Sequence, residues 1–246
     1  MALTSVKTLG ETLQSPPIFW VKNPQFQNFV TAFKSIHFMH YLKNSVITTV
    51  GILVAQLLTV VPAAYAFARF DFKGKGIFFG MMLATTMIPA QLVFLPVFLV
   101  LSKMGLINTY WSLILPQATS AFGIFMLRQS FMQIPKELIE AARLDKAGEF
   151  KIMFKVMLPM CRSTVATLSL LTFIGSWNDY FWAKVLTTSD AVRTLPVGIT
   201  ALRDVDGGVA NHIVMAGNLI MLLPILIAFI VAQKQILKAF AYTGVK

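Results

Sequence analysis

Charge is scarce in this chain and cysteine almost absent. Only 13% of its 246 residues are charged, against roughly 25% in a soluble domain. The single cysteine, Cys161, excludes an internal disulfide and a cysteine-built metal site and reads as an apolar filler. Acids are rarer than bases, 10 against 21, for a net charge of +11. No G-x-x-x-x-G-K-[ST] run occurs, so the loop whose backbone N–H groups would cradle ATP phosphates is missing. A Ser-His-Asp set, metal-ligand spacing and paired carboxylates are equally lacking, and His37, His40 and His212 stand isolated. The chain reads as a non-enzyme with no cofactor of its own.

Hydrophobic residues make up 57% of the sequence, mean hydropathy is +0.71, and the apolar residues come in long blocks. A block of about twenty residues rises about 1.5 Å per residue, enough to cross a hydrocarbon core of about 30 Å. Five segments qualify as spans: 44–68, 77–101, 110–131, 164–186 and 213–233. Pro62, Pro89, Pro96, Pro116 and Pro224 fall inside them, which membrane helices accept when neighbours satisfy the freed carbonyls. Kinked helices around a cavity, or ordinary packing, both fit. Residues 1–43, with Pro16, Pro17, Pro24 and scattered lysines, do not form a cleaved signal peptide.

Lys and Arg lie between the apolar blocks, where topology rather than nucleic acid places them. The segments 69–76, 128–163 and 234–246 hold 13 of the 21. These are therefore predicted to face the cytoplasm, with residues 4–43 outside. Met1-Ala2-Leu3 reads as the last turn of an earlier span, so a sixth, N-terminal span is expected ahead of this chain; a five-span protein is the alternative.

Between the third and fourth spans lies a polar stretch, residues 136–155, in which nine charges alternate with apolar residues. Pro135 suits a helix start. On a helix Leu138, Ala141, Ala142 and Asp145 share a face, and the alanines leave it shallow enough for close approach. Asp145 can end this helix or cap a second near Lys146, with Gly148 loosening the join. Leu158-Pro159 then returns the chain to the bilayer. Physics alone also allows a plain solvated loop.

The run Ile134-Pro135-Lys136-Glu137-Leu138, followed by Glu140-Ala141-Ala142, Asp145, Ala147, Phe154 and Leu158-Pro159, resembles the EAA loop of ABC importer permeases. Further motifs are Pro16-Pro17, Asn44-Ser45, Tyr65-Ala66-Phe67-Ala68-Arg69, Met87-Ile88-Pro89, Gly105-Leu106-Ile107-Asn108-Thr109, Gly175-Ser176-Trp177-Asn178-Asp179-Tyr180 and Thr194-Leu195-Pro196-Val197-Gly198. They are similar to the binding-protein-dependent carbohydrate permeases of the maltose type, specifically the MalG-like member of the pair. Three departures stand out: Lys146 where the family usually has glycine, Arg162-Ser163 in place of Lys-Pro, and Ala183-Lys184 in place of Pro-Leu.

The resemblance implies an all-α polytopic membrane protein, a helical bundle of the type I ABC importer, normally of six spans. Its implied partners are a second, MalF-like permease, a dimer of ATP-binding subunits that hold ATP and Mg, an extracytoplasmic solute-binding protein and a sugar, all in a prokaryotic cell membrane. Glu137, Glu140, Ala141, Ala142, Asp145, Ala147, Phe154, Leu158 and Pro159 would couple to the ATPase. Gln91, Trp177, Asn178, Asp179 and Asn218 are candidates for the substrate path, since polar groups at membrane depth are costly unless paired or facing a wet cavity. Thr85, Thr86, Tyr180 and Trp182 are secondary candidates. The outer segment 187–211, with Asp190, Asp204, Asp206 and Gly207-Gly208, is expected to meet the binding protein, and the tail from Ala241 to Gly244 to reach toward the ATPase. Three alternatives remain: a permease for glycerol phosphate or another polyol, an ion-coupled secondary transporter, and a membrane-embedded enzyme.

Overall fold

A computed structural model describes residues 1–16, 19–21, 23–206 and 210–243. Pro17, the Gly207-Gly208 turn and Gly244 lie outside them. Every regular element among the described residues is helical. In chain order the α-helices are α1 (Ala2–Ser5), α2 (Leu9–Leu13), α3 (Gln27–Lys34), α4 (Phe38–Arg69), α5 (Lys75–Ala84), α6 (Phe94–Lys103), α7 (Tyr110–Ile114), α8 (Ala121–Met132), α9 (Lys136–Leu144), α10 (Glu149–Ile152), α11 (Leu158–Met160), α12 (Arg162–Trp177), α13 (Phe181–Leu186), α14 (Leu195–Thr200) and α15 (Asn211–Thr243), with short 3-10 and π turns between some of them.

Two helical stretches, Phe38–Arg69 and Asn211–Lys234, are each long and apolar enough to cross a bilayer alone. The other expected spans are interrupted. Over 77–101 the chain bends by 96° between Met87 and Ala90. Pro89 clashes with a helical residue before it, and Ile88 duly sits extended at φ −86°, ψ 117°. Over 110–131 helix α7 gives way to a tight turn at Leu115–Gln117 containing Pro116, and α8 restarts at Ala121 with the Ser120 hydroxyl accepting from the Gly123 N–H at 3.0 Å. Over 164–186 helix α12 stops at Trp177 and α13 begins at Phe181. Upstream of α12, the chain makes an 83° bend at Cys161, which is buried.

The chain forms two compact units. The first comprises Met1–Thr49, Leu106–Leu113 and Ile174–Ala228, around a core of Ala32, Phe38, Tyr41, Leu195, Ile199 and Leu202. Gly198 lets the Tyr41 ring lie against the α14 backbone: a Cβ there would come 2.2 Å from Cδ2. Buried Asn44 pins the segment after α13, donating to the carbonyls of Ala191 (3.1 Å) and Arg193 (3.0 Å) while accepting from the Tyr110 hydroxyl at 2.7 Å. The Ser45 hydroxyl accepts from the Leu195 N–H at 2.8 Å. Asn108, at φ 63°, accepts from the Thr188 and Ser189 N–H groups. An amide that hydrogen-bonds locally suits asparagine to this left-handed backbone.

The second unit comprises Val50–Gly105, Ile114–Phe173 and Phe229–Lys246. Its core joins Val60, Val61 and Tyr65 of α4 to Leu127 and Phe131 of α8, Ile139 of α9, and Ile152, Met153 and Met157. A broken helix frees carbonyls that lipid cannot satisfy, and α4 supplies the donors. Gln56 donates to the Gln117 carbonyl at 3.0 Å and accepts from the Thr172 hydroxyl at 2.8 Å, while the Thr59 hydroxyl donates to Ala118 at 2.7 Å.

Candidate functional site

The polar stretch forms a helix–turn–helix in the second unit. Pro135 stands at the N-cap, one position before the first helical residue, with ψ 139°. Asp145 ends α9 and does not cap the next helix, which starts at Glu149 after an extended Gly148. The join is a Schellman motif: the Lys146 N–H reaches the Arg143 carbonyl at 2.9 Å and the Ala147 N–H reaches Ala142 at 3.0 Å. That closure puts Lys146 at the left-handed C′ position normally given to glycine, with φ 55°. Here lies the reason for the glycine that the family pattern carries after this aspartate.

The expected common face is split. Leu138, Ala141 and Asp145 are exposed, but Ala142 is half-buried and packs with Ala147 on the core. Helical twist allows this, because Ala142 lies about 100° around the axis from Ala141. Glu137, Glu140 and Phe154 are exposed, Leu158 is half-buried, and Pro159 is exposed within α11, so the helical backbone continues past Leu158-Pro159 to Met160. A π-helical turn, Met153–Met157, precedes it. Pro159 has no N–H for the Lys155 carbonyl four residues back, which accounts for the irregular turn.

Two residues missed by the sequence reading complete the outer surface: Leu144 is 84% exposed and Phe150 74%. Both are apolar side chains left open on a charged hairpin. Position between charges does not reveal this, since Ile139 and Ile152 stand among the same charges and are buried.

The end of α4 braces the hairpin. The buried Tyr65 hydroxyl donates to the Glu149 carboxylate, which also receives Arg143 Nε at 3.1 Å. The Arg69 guanidinium donates to the carbonyls of Phe131 and Ile134, the latter at 2.7 Å, a basic side chain closing the helix end where α8 runs into the hairpin. Arg128 donates to the Phe67 carbonyl at 3.1 Å and lies 4.3 Å from the Phe79 ring centre. The Tyr65–Arg69 motif is therefore the seat of the hairpin. A cavity of about 400 Å³ opens beside it, lined by Arg69, Asp71, Lys136, Ile139, Glu140 and Arg143 among others.

The substrate-path candidates fall in both units. Trp177, Asn178, Asp179 and Asn218 belong to the first unit and Gln91 to the second. Trp177 is only 2% exposed and its indole N–H donates to the Met221 carbonyl at 3.0 Å. Its ring is packing rather than an open face. The Asn178 amide donates to Ile174 at 2.9 Å, and the Asp179 carboxylate accepts from the Trp182 N–H at 3.1 Å. Gln91 is exposed in the turn after Pro89 and Asn218 half-buried on α15. Thr85 and Thr86 return their hydroxyls to their own helix at 2.7 Å each. His40 bonds the carbonyls of Asp190 and Ala191, and His212 is buried.

The family model described as binding-protein-dependent transport system inner membrane component matches residues 47–241. The chain is 37% identical over 204 residues to the arabinooligosaccharides transport system permease protein AraQ of Halalkalibacterium halodurans, covering 82% of this chain and 72% of that protein. It is 33% identical over 244 residues to the diacetylchitobiose uptake system permease protein NgcG of Streptomyces coelicolor, covering 95% and 78%. With the sn-glycerol-3-phosphate transport system permease protein UgpE of Brucella abortus it shares 32% over 203 residues, covering 82% and 72%. Among solved structures, a bacterial ABC transporter involved in import of the acidic polysaccharide alginate superposes with a TM-score of 0.78 at 26% identity, covering 94% of this chain and 86% of that one. Family match, relatives and shared fold agree: the chain belongs to the binding-protein-dependent transport system inner membrane components, the permeases of ABC importers.

Proposed function

We propose that this chain forms half of the translocation path of an ATP-driven sugar importer, alongside a second permease, a dimer of ATP-binding subunits and an extracytoplasmic solute-binding protein. The observation that carries this reading is the exposed α9–α10 hairpin seated on Tyr65 and Arg69. Its surface presents Leu138, Ala141, Leu144 and Phe150 between Glu137, Glu140 and Asp145, which suits insertion into a cleft of the ATP-binding subunit. The basic residues flanking the hairpin support a cytoplasmic orientation for it. ATP hydrolysis belongs to the partner, because this sequence contains no phosphate-cradling loop.

Coupling requires an element with two arrangements, biased by both sites. Closure of the ATP-binding dimer would push the hairpin, and its side-chain bonds to α4 and its covalent run into α12 would carry the push to the apolar helices. A neutral sugar is favoured over a glycerol phosphate, the best alternative, because the five apolar segments hold only two cations, Arg128 and Lys184, to meet an intramembrane phosphate charge, and Arg128 is engaged by the Phe67 carbonyl and the Phe79 ring.

Ala141→Asp and Leu144→Asp test the docking surface in the assembled transporter. Each should cut sugar uptake and sugar-stimulated ATPase at least about tenfold, since a truncated or charged anchor in a closed contact costs about 2 kcal/mol or more. Undiminished, still sugar-stimulated ATPase would overturn the reading. Ala142→Asp is a poorer probe, because Ala142 faces the chain's own core.

A further inference from the structure

The region before α4 has a composition unlike the rest of the chain. No Asp or Glu occurs between Glu11 and Asp71, while Lys22, Lys34 and Lys43 do. In the same region Phe19 is 79% exposed, Trp20 81% and Phe26 70%. Helix α3 sorts its residues into three arcs at 100° per residue. Phe29 and Ala32 turn to the core of the first unit. Gln27 and Lys34 are exposed on a polar arc, and Phe26, Val30 and Phe33 form an exposed apolar arc on the third side. The helix is fixed in place: Asn28 donates to the carbonyls of Ser5 and Lys7, both at 2.9 Å, and only Ser35, Ile36 and His37 separate it from the long apolar α4.

We infer that α3 is an interfacial helix that lies in the headgroup layer of the bilayer, its Phe26, Val30 and Phe33 arc reaching the acyl boundary and Lys34 on its polar arc meeting anionic headgroups. Three features specify a lipid occupant. The short link holds α3 level with the end of a bilayer-crossing helix. Aromatic and aliphatic groups beside lysines are the composition of such helices. The absence of acids across the whole segment complements an anionic lipid such as phosphatidylglycerol rather than a mixed-charge protein surface. A helix with core on one side, water on another and lipid on the third uses all three arcs.

The test uses the complete transporter in nanodiscs of phosphatidylcholine with phosphatidylglycerol. Phe26→Cys, Val30→Cys and Phe33→Cys, with Gln27→Cys and Lys34→Cys as polar-arc controls, are spin-labelled one at a time in a Cys161→Ser background that retains transport. The ratio of oxygen to nickel-chelate accessibility is expected to be severalfold higher at the three apolar positions than at the two controls. It should also be higher at Phe33 with phosphatidylglycerol than in phosphatidylcholine alone. Nickel access at Phe26, Val30 and Phe33 equal to the controls would overturn the proposal in favour of a solvated face. Shielding from both reagents would overturn it in favour of another subunit, and shielding that appears only when the solute-binding protein is added would do so in favour of that protein. Three separate labels protect the result from a single variant that fails to assemble.

Discussion

The indole N–H of Trp177 donates to the main-chain oxygen of Met221 at 3.0 Å, three residues before Pro224 in α15. A proline inside a helix leaves the carbonyl four residues back without its partner and distorts the adjacent ones. Trp177 brings a donor from another helix to that weakened stretch, as membrane helices with internal proline require. Trp177, which the sequence offers as a sugar platform, is 2% exposed and holds this bond.

Trp177→Phe keeps most of the ring and deletes the donor. Losing one such hydrogen bond costs about 0.5–1.5 kcal/mol. The purified complex should therefore melt earlier, while the apparent affinity for sugar in uptake assays stays unchanged. A selective loss of sugar affinity at normal thermal stability would instead return Trp177 to the substrate path.

Lys146 holds a left-handed backbone, φ 55°, which costs a residue with a Cβ roughly 1–2 kcal/mol relative to glycine. Lys146→Gly should stabilise the closed turn by about 1 kcal/mol, read as slower amide exchange at Lys146 and Ala147, whose N–H groups close the motif. Lys146→Val should do the reverse, since a β-branched residue tolerates this region worst. Faster exchange in the glycine variant would contradict the assignment.

Tyr65 and Glu149 are bonded side chain to side chain across the second unit. A double-mutant cycle of Tyr65→Phe and Glu149→Gln should give a coupling energy of about 0.5–3 kcal/mol in thermal stability. The same variants should lower transport per ATP hydrolysed if this bond carries force from the hairpin to α4. Additive effects in both measurements would leave Tyr65 as packing alone.

Much of the architecture was legible in one dimension. Long apolar blocks with almost no charge suit a bilayer, and the alternation of charge and alanine after Pro135 marks a helix built for close approach. Both follow from composition and spacing, which act locally. Less legible was the orientation of individual side chains. Ala141 and Ala142 are neighbours in sequence, yet one meets solvent and the other the core, because helical twist resolves only against a packed partner. Leu144 and Phe150 were hidden for the opposite reason: an exposed apolar residue and a buried one are written with the same letter.

The sequence by itself determined that this chain is helical, apolar and a permease of the ABC importer family, because burial in lipid and a fixed-spacing motif are properties of residue type and order. Tertiary structure alone decided where the helices break and what mends them. Pro89 and Pro116 announce interruptions, but the donors that make the Pro116 break tolerable, Gln56 and Thr59, lie about sixty residues away. Tyr65 and Arg69 hold the hairpin in the same way, across distances in sequence that no local pattern encodes. Hydrogen-bond satisfaction in a nonpolar medium is an account settled over the whole fold, and only the folded chain brings each donor to its acceptor.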